Sequence, residues 1–190
     1  MDADRIIELL LHGNQLKRTT RTGWAQRGVP SPESVAAHSF GVVYAALLLC
    51  ELVEEPVDLT AVLAMAALHD LPEGLTTDIP KPAWRFLPEG AKAAAERKAM
   101  EQIVGESPAR ARWLAWWEQL NRNDTAEARL VHDADKLDQF LQAYIYELQT
   151  GNRRLAEFWS VPHVFHFATA QAVYDALRLR RDGSDTPPKL

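Results

Sequence analysis

Apolar residues recur three and four positions apart along almost all of the chain, which is the spacing of one face of an α-helix. No segment alternates apolar and polar residues over the length of a strand. The pattern therefore predicts an all-α fold, with one helical domain over residues 1–182 and a flexible C-terminal tail over 183–190. The predicted helices cover residues 2–17, 32–54, 58–70, 89–105, 108–120, 124–150 and 163–181.

Two segments between these helices contain many residues that interrupt regular structure. Residues 17–32 combine glycine, proline and threonine, which predicts a long loop. Residues 71–88 contain several prolines and are predicted to be irregular. Ser31 with Pro32 is predicted to open the helix that follows the first loop, and Asp58 is predicted to cap the next helix.

The composition is that of an ordinary globular protein and excludes several classes of partner. The longest apolar runs, around residues 42–50 and 61–68, are too short to span a bilayer. The acidic N-terminal segment lacks the features of a signal peptide, so we expect a cytoplasmic protein with no membrane partner. The net charge of −5 argues against binding to a nucleic-acid polymer but permits a small anion in a local basic pocket. Cys50 lies in an apolar run, and we interpret it as a core residue.

His69 and Asp70 stand side by side at the end of an apolar helix. Val62, Ala66 and His69 fall on one line of that helix, so the imidazole is expected to point inward. The preceding helix carries His38 on a similar apolar line. A buried carboxylate costs several kcal/mol unless it is paired or binds a metal. The two interpretations are a hydrogen-bonded His–Asp pair in the core and a metal site; two inward histidines with an aspartate favour the metal.

The helix predicted over 124–150 offers a third contributor to such a site. Asp133, Asp135 and Asp138 surround its apolar seam. The helical wheel places Asp133 and Asp138 nearer to the seam than Asp135, so the wheel does not single out one ligand. A solvated or salt-bridged face, with Lys136 as a partner, is the alternative for all three aspartates.

Further charged residues lie in the two irregular segments. Glu73 and Asp78 follow the His–Asp pair, and a carboxylate near a metal and its water can take a proton from the water or give one to a leaving oxygen. The loop over 17–32 concentrates positive charge, including Arg21, close to Trp24. Arginine suits phosphate oxygens, and an exposed tryptophan can stack on a base. The alternatives are a surface acid for Asp78 and a solvated basic loop that Trp24 anchors to the core.

Four segments carry a resemblance to a known family. They contain, in order, an RTGW sequence, a histidine, a His–Asp pair with an acid three residues later, and a final aspartate. In that order they resemble the HD-domain metal-dependent phosphohydrolases, and most of all their 5′-deoxynucleotidase branch, over about residues 5–175. The segments are LKRTTRTGW (16–24), PESVAAHS (32–39), ALHDLPEGLTTDIP (67–80) and ARLVHDADKLDQFLQA (128–143).

The resemblance implies a single HD-domain helical bundle that hydrolyses a (deoxy)nucleoside 5′-monophosphate to nucleoside and phosphate. It implies one divalent metal ion, with Mn or Co favoured and Fe, Zn or Mg compatible with the ligands. It also implies that the protein forms a homodimer and binds a small-molecule nucleotide as its substrate. The implied roles are metal ligation by His38, His69, Asp70 and Asp135, proton transfer around the attacking water and leaving group by Glu73 and Asp78, and contact with phosphate and nucleoside by Arg21 and Trp24.

Three other functions are compatible with parts of this pattern. The first is an HD phosphohydrolase that acts on a nucleoside triphosphate, a cyclic nucleotide or an alarmone. The second is an HD-fold di-iron oxygenase, which needs further histidines between Asp70 and Asp135, where this chain has only His132. The third is a ligand-binding protein without catalytic activity. Phosphate release from a panel of nucleotides distinguishes all three from the favoured function.

Overall fold

The computed structural model describes residues 3–183, and this part of the chain consists of helices joined by loops, which confirms the all-α prediction. An isolated β-bridge pairs Thr20 with Ser34. The helices are α1 (Ala3–Gln15), α2 (Thr22–Gln26), α3 (Val35–Cys50), α4 (Leu59–Leu68), α5 (Glu73–Thr76), α6 (Lys81–Trp84), α7 (Ala91–Val104), α8 (Arg110–Arg122), α9 (Ala126–Thr150), a 3₁₀ helix (Arg153–Trp159) and α10 (Ala168–Gly183).

The start of α3 differs from the prediction. Its cap is Ser34 and not Ser31, because the Ser34 hydroxyl accepts a hydrogen bond from the N–H of Ala37 at 3.2 Å. The residues before the helix are held extended against the preceding loop, where the N–H of Val35 donates to the carbonyl of Thr19 at 2.8 Å. Because of this pairing the helix begins later than predicted, at Val35. It also ends earlier than predicted, at Cys50.

The irregular segments contain more helix than the sequence predicts. The loop over 17–32 includes α2, and the segment over 71–88 includes α5 and α6. These helices are four or five residues long, which is too short for apolar periodicity to reveal. The predicted cap of α4 is confirmed, because the Asp58 carboxylate accepts hydrogen bonds from the N–H groups of Thr60 and Ala61.

The last helix begins later and ends later than predicted, since α10 starts at Ala168 and includes Gly183. The flexible tail was predicted over 183–190; its first residue, Gly183, belongs to α10, and the rest, 184–190, lies outside the described residues and stays a prediction. None of the helices in residues 3–183 is both long enough and apolar enough to cross a membrane.

The main core forms where α3, α4 and α9 pack against one another. Full burial of an aliphatic side chain contributes about 1.5–3 kcal/mol, so these contacts fix the three helices firmly. Cys50 packs at the edge of this core, where burial raises the pKa of its thiol, in agreement with the core role predicted for it. The fully buried residues of the three helices include Val42, Ala46, Val62, Met65, Ala66, Leu130 and Ala134.

Candidate active site

The three core helices bring together residues that are far apart in the sequence. His38 lies in the first turns of α3, His69 follows the last residue of α4, and Asp135 lies on α9. One ligand atom from each of these residues lies within 4.8 Å of the other two. The rigid packing of the helices therefore fixes the relative positions of these three side chains.

Both histidines present the same ring atom to the centre of this cluster. The Nδ1 atom of His69 lies 2.7 Å from the carbonyl oxygen of Ala66, and the Nδ1 atom of His38 lies 2.7 Å from Oδ2 of Asp138. A carbonyl or carboxylate oxygen only accepts, so each Nδ1 donates. The two Nε2 atoms lie 3.4 Å apart. In the neutral rings their lone pairs face the same point, which suits a shared cation.

Two carboxylates complete the cluster. Oδ1 of Asp135 lies 3.2 Å from Nε2 of His38, and Oδ2 of Asp70 lies 3.2 Å from Nε2 of His69. The same Asp70 oxygen is 3.7 Å from Nε2 of His38. Two imidazole nitrogens and two carboxylates form a donor set that suits Mn, Co, Fe or Zn ions. These four residues fit a divalent cation.

Neighbouring positive charges keep both carboxylates ionised. Burial raises the pKa of Asp70, but the positive charges of His69 and Arg21 outweigh burial and hold this pKa well below its usual range. Burial also raises the pKa of Asp135, but nearby groups outweigh it. The positive charge of Lys136 contributes most, and the pKa of Asp135 lies well below its ordinary value. Ionised carboxylates are the form that binds a metal.

Without a bound metal, both nitrogens of the His38 ring hold a proton near neutral pH. Burial lowers the pKa of His38, but its hydrogen bonds to Asp135 and Asp138 outweigh burial and raise the pKa to about 9. A cation at Nε2 would take the place of this proton, as is usual when a metal binds to histidine.

Glu73 differs from the other acids near the cluster. Its side chain is only 4% exposed, and its Oε2 atom is buried without a hydrogen-bond partner in the described part of the chain. Burial, together with the negative charges of Asp70 and Asp78, raises the pKa of Glu73 to about 9. A buried polar atom without a partner is rare in folded proteins and calls for a functional explanation.

Asp78 and Arg21 connect the two irregular segments at this site. Oδ2 of Asp78 accepts a hydrogen bond from the N–H of Thr22 at 2.6 Å, which caps the short helix α2 from across the chain. Arg21, directly before α2, donates to Oδ2 of Asp70 at 3.3 Å. The structure thus brings both predicted residues to the cluster and gives Asp78 a defined structural contact.

Trp24 also lies at this site, but it is not exposed as a base-stacking residue would be. Its side chain is 2% exposed, its Nε1–H donates to Oε1 of Glu33 at 2.9 Å, and its ring packs against Tyr146 and Phe158. Of the two interpretations of Trp24, the exposed stacking ring is excluded, because α2 turns the side chain into the core. The anchoring alternative describes this side chain, although Trp24 still contributes to the wall of a cavity.

The cavity measures about 220 Å³ and opens above the cluster. Positive side chains from four different segments surround it, in a protein whose net charge is −5. Lys81, Lys92 and Lys136 were not assigned to the site by sequence reasoning, because only the packing of α6, α7 and α9 brings them to one place. The wall includes the predicted Arg21, Trp24, Asp70, Glu73, Asp78 and Asp135, and also Arg27, Lys81, Trp84, Lys92, Lys136, Gln139 and Phe158.

The three aspartates of α9 have different surroundings. Asp135 faces the cavity, and Asp138 contacts Nδ1 of His38. Asp133 is buried, and its carboxylate accepts from Nδ1 and the N–H of His166 and from the N–H of Phe167, which ties α9 to the loop before α10. His132 contacts the carbonyl of Leu120 and so has a structural partner away from the cluster.

The chain belongs to the HD-domain family, whose sequence profile, described as HD domain, matches residues 13–172. It is 31% identical over 182 residues to the 5′-deoxynucleotidase HDDC2 of Danio rerio, and the aligned region covers 94% of this chain and 88% of that protein. It is 32% identical over 160 residues to the Homo sapiens protein of the same name, with 83% and 76% covered. The crystal structure of the PH0347 protein from Pyrococcus horikoshii OT3 is similar with a TM-score of 0.75 at 37% identity, covering 90% of this chain and 96% of that one.

Proposed function

We propose that the protein is a phosphoric monoester hydrolase that converts deoxynucleoside 5′-monophosphates to nucleoside and inorganic phosphate with a divalent cation. The observation that carries this proposal is the convergence of His38, His69 and Asp135 at a cavity surrounded by positive side chains. Such a cavity suits a ligand with an anionic group that meets a metal. The relatives named 5′-deoxynucleotidases support the same substrate class.

The proposed ligands are His38, His69, Asp70 and Asp135. A divalent cation at these residues would polarise the phosphate and make a nearby water more acidic. We favour Mn or Co as the activating ion, and Fe, Zn or Mg also suit the donor set to different degrees. Arg21 is proposed to hold phosphate oxygens, and Trp24 is proposed to form part of the wall near the sugar.

In the proposed reaction a water oxygen bonds to phosphorus, the bond from phosphorus to the nucleoside O5′ breaks, and O5′ receives a proton. Glu73 is the proposed group for exchanging this proton, because a carboxyl with a pKa raised to about 9 holds a proton near neutral pH. Asp78 is proposed to act beside it and to hold Thr22, and with it the Arg21 backbone, at the cavity.

The test is phosphate release from nucleoside mono-, di- and triphosphates, as ribo and deoxy forms, after chelation and after addition of each metal in turn. We expect release from deoxynucleoside monophosphates, its loss after chelation, and its return with Mn or Co. His69→Ala should abolish release, whereas His12→Ala on α1 serves as a histidine control. Activity on triphosphates only, or no activity with any metal, contradicts the proposal.

We also propose that the enzyme is a cytoplasmic homodimer. Phe40, Tyr44, Leu47 and Leu48 are exposed on α3, and an exposed apolar stripe of this kind supports contact with a second copy. Light scattering during gel filtration measures the mass directly. A mass of one chain, or a Tyr44→Lys variant that keeps the mass of the dimer, contradicts this interface.

A further inference from the structure

Asp138 contacts the one metal-ligand histidine that is fully buried. His38 is 1% exposed, and its Nδ1 lies 2.7 Å from Oδ2 of Asp138, on the opposite side of the ring from the cluster. A neutral imidazole has two tautomers, and the partner of one nitrogen decides which of them forms. Because an ionised carboxylate only accepts, Asp138 selects the tautomer with the proton on Nδ1 and the lone pair on Nε2.

A glycine in α3 makes this contact possible. Gly41 lies three residues after His38, so the two share a face of the helix. A Cβ atom at Gly41 would lie 2.0 Å from Oδ1 and 2.7 Å from Cγ of Asp138. The carboxylate therefore occupies the volume that any other residue would fill. A glycine inside a helix costs about 1 kcal/mol relative to alanine, so the chain accepts a local cost at this position.

Glu33 is also near His38 but has another partner. One of its carboxylate oxygens lies within 4.8 Å of a ring nitrogen of His38 and of a carboxylate oxygen of Asp138. Its Oε1 accepts the hydrogen bond from Nε1 of Trp24 at 2.9 Å. The hydrogen bond to Nδ1 is therefore made by Asp138, while Glu33 holds the loop that carries α2.

We propose that Asp138 is a positioning residue that holds His38 with Nε2 directed at the divalent cation, and that Gly41 is the gap that admits its carboxylate. This inference rests on the metal site of the proposed function and is independent of which nucleotide the cavity binds. It assigns a task to an aspartate that the helical wheel left undecided, and it explains a glycine within a long helix.

The first test replaces Asp138 by asparagine and measures Mn²⁺ binding by calorimetry without nucleotide. Loss of such an outer partner typically weakens metal affinity about 10- to 100-fold, which is the expected result. Asp175→Asn, an exposed aspartate on α10, is the matched control and should bind as the wild type does. Unchanged affinity in Asp138→Asn would overturn the proposal.

A spectroscopic readout separates positioning from general loss of structure. In the Zn²⁺-loaded protein the Nδ1 proton of His38 should resonate far downfield, because it is hydrogen-bonded to a carboxylate. Asp138→Asn should move this signal upfield, while the Nδ1 proton of His69, which donates to a backbone carbonyl, should keep its position. A His38 signal that stays in place would show that Asp138 does not determine the state of the ring.

The second test uses Gly41 and does not alter any charged group. Gly41→Ala places a methyl group where the Asp138 carboxylate lies, so we expect the same 10- to 100-fold loss of Mn²⁺ affinity. In an Asp138→Ala background the carboxylate is absent, and Gly41→Ala should then cause no further loss and should raise Tm, since alanine favours a helix. Losses that multiply in the double variant would overturn the role of the gap.

These outcomes remain distinct from those of the activity assay. A protein that binds Mn²⁺ with the predicted dependence on Asp138 but releases no phosphate from any nucleotide would overturn the proposed function and leave the positioning role established. A wild-type protein that binds none of the divalent ions would overturn both.

Discussion

Replacing Glu73 by glutamine tests whether the buried carboxyl is kept for chemistry at a cost to stability. The unfolded carboxyl has a pKa near 4.5, while burial and the charges of Asp70 and Asp78 raise the folded value to about 9. Between these values the folded protein holds a proton that the unfolded chain has released. The free energy of unfolding of the wild type therefore falls as pH rises through this window. Glutamine does not titrate, so the variant lacks this loss.

The size of the effect follows from the difference of one bound proton between the folded and the unfolded protein. Each pH unit inside the window changes the relative free energy by at most about 1.4 kcal/mol, so the two proteins should diverge by about 2–3 kcal/mol from pH 6 to pH 8. For a domain of this length that corresponds to a Tm difference that grows by roughly 5–10 °C. The variant should become the more stable protein as pH rises, with both proteins treated with chelator.

The same substitution should damage catalysis. Loss of a group that transfers a proton costs about 10²- to 10⁴-fold in kcat, while Mn²⁺ affinity should hold because the amide replaces a residue outside the proposed ligand set. Glu54→Gln, at an exposed position after α3, is the control for both measurements. Tm curves that stay parallel from pH 6 to pH 8 would refute the reasoning on burial. An unchanged kcat with metal bound would refute the catalytic role.

Three further substitutions test the roles of individual side chains. Trp24→Phe leaves the carboxylate of Glu33 without its donor and should destabilise the protein by about 1–3 kcal/mol in urea unfolding; a rise in KM without loss of stability would instead indicate contact with substrate. Asp133→Ala removes the acceptor for His166 and should cost about 2–4 kcal/mol, with Mn²⁺ affinity unchanged in calorimetry. Arg21→Ala should raise KM for a deoxynucleoside monophosphate about 10- to 100-fold, and an unchanged KM would exclude a phosphate contact.

The core helices could be predicted from the sequence because the spacing of apolar residues is a local pattern. The spacing of apolar residues predicted the core helices α3, α4 and α9, and the same spacing placed His38 and His69 on inward lines. The cap at Asp58 was equally predictable, since it depends on residues two and three positions away. The cap of α3 was misassigned because the backbone before it pairs with Thr19, a contact that no local pattern encodes.

The acid that faces the cluster could not be chosen from α9 alone. A helical wheel measures only the distance from an apolar seam, and by that measure Asp135 was the weakest of three aspartates. The packing of α9 against α3 and the approach of the loop before α10 give each acid its partner. Asp133 meets His166, Asp138 meets Nδ1 of His38, and Asp135 meets the cavity.

The sequence by itself determined a helical domain with two inward histidines, a His–Asp pair and a basic loop, because these follow from periodicity and residue type within a few turns. Only the tertiary structure decided that Trp24 is buried, that one oxygen of Glu73 has no hydrogen-bond partner among residues 3–183, and that the carboxylate of Asp138 lies over Gly41. Each of these depends on how distant segments pack, since burial and hydrogen-bond partners are set by contacts across the fold.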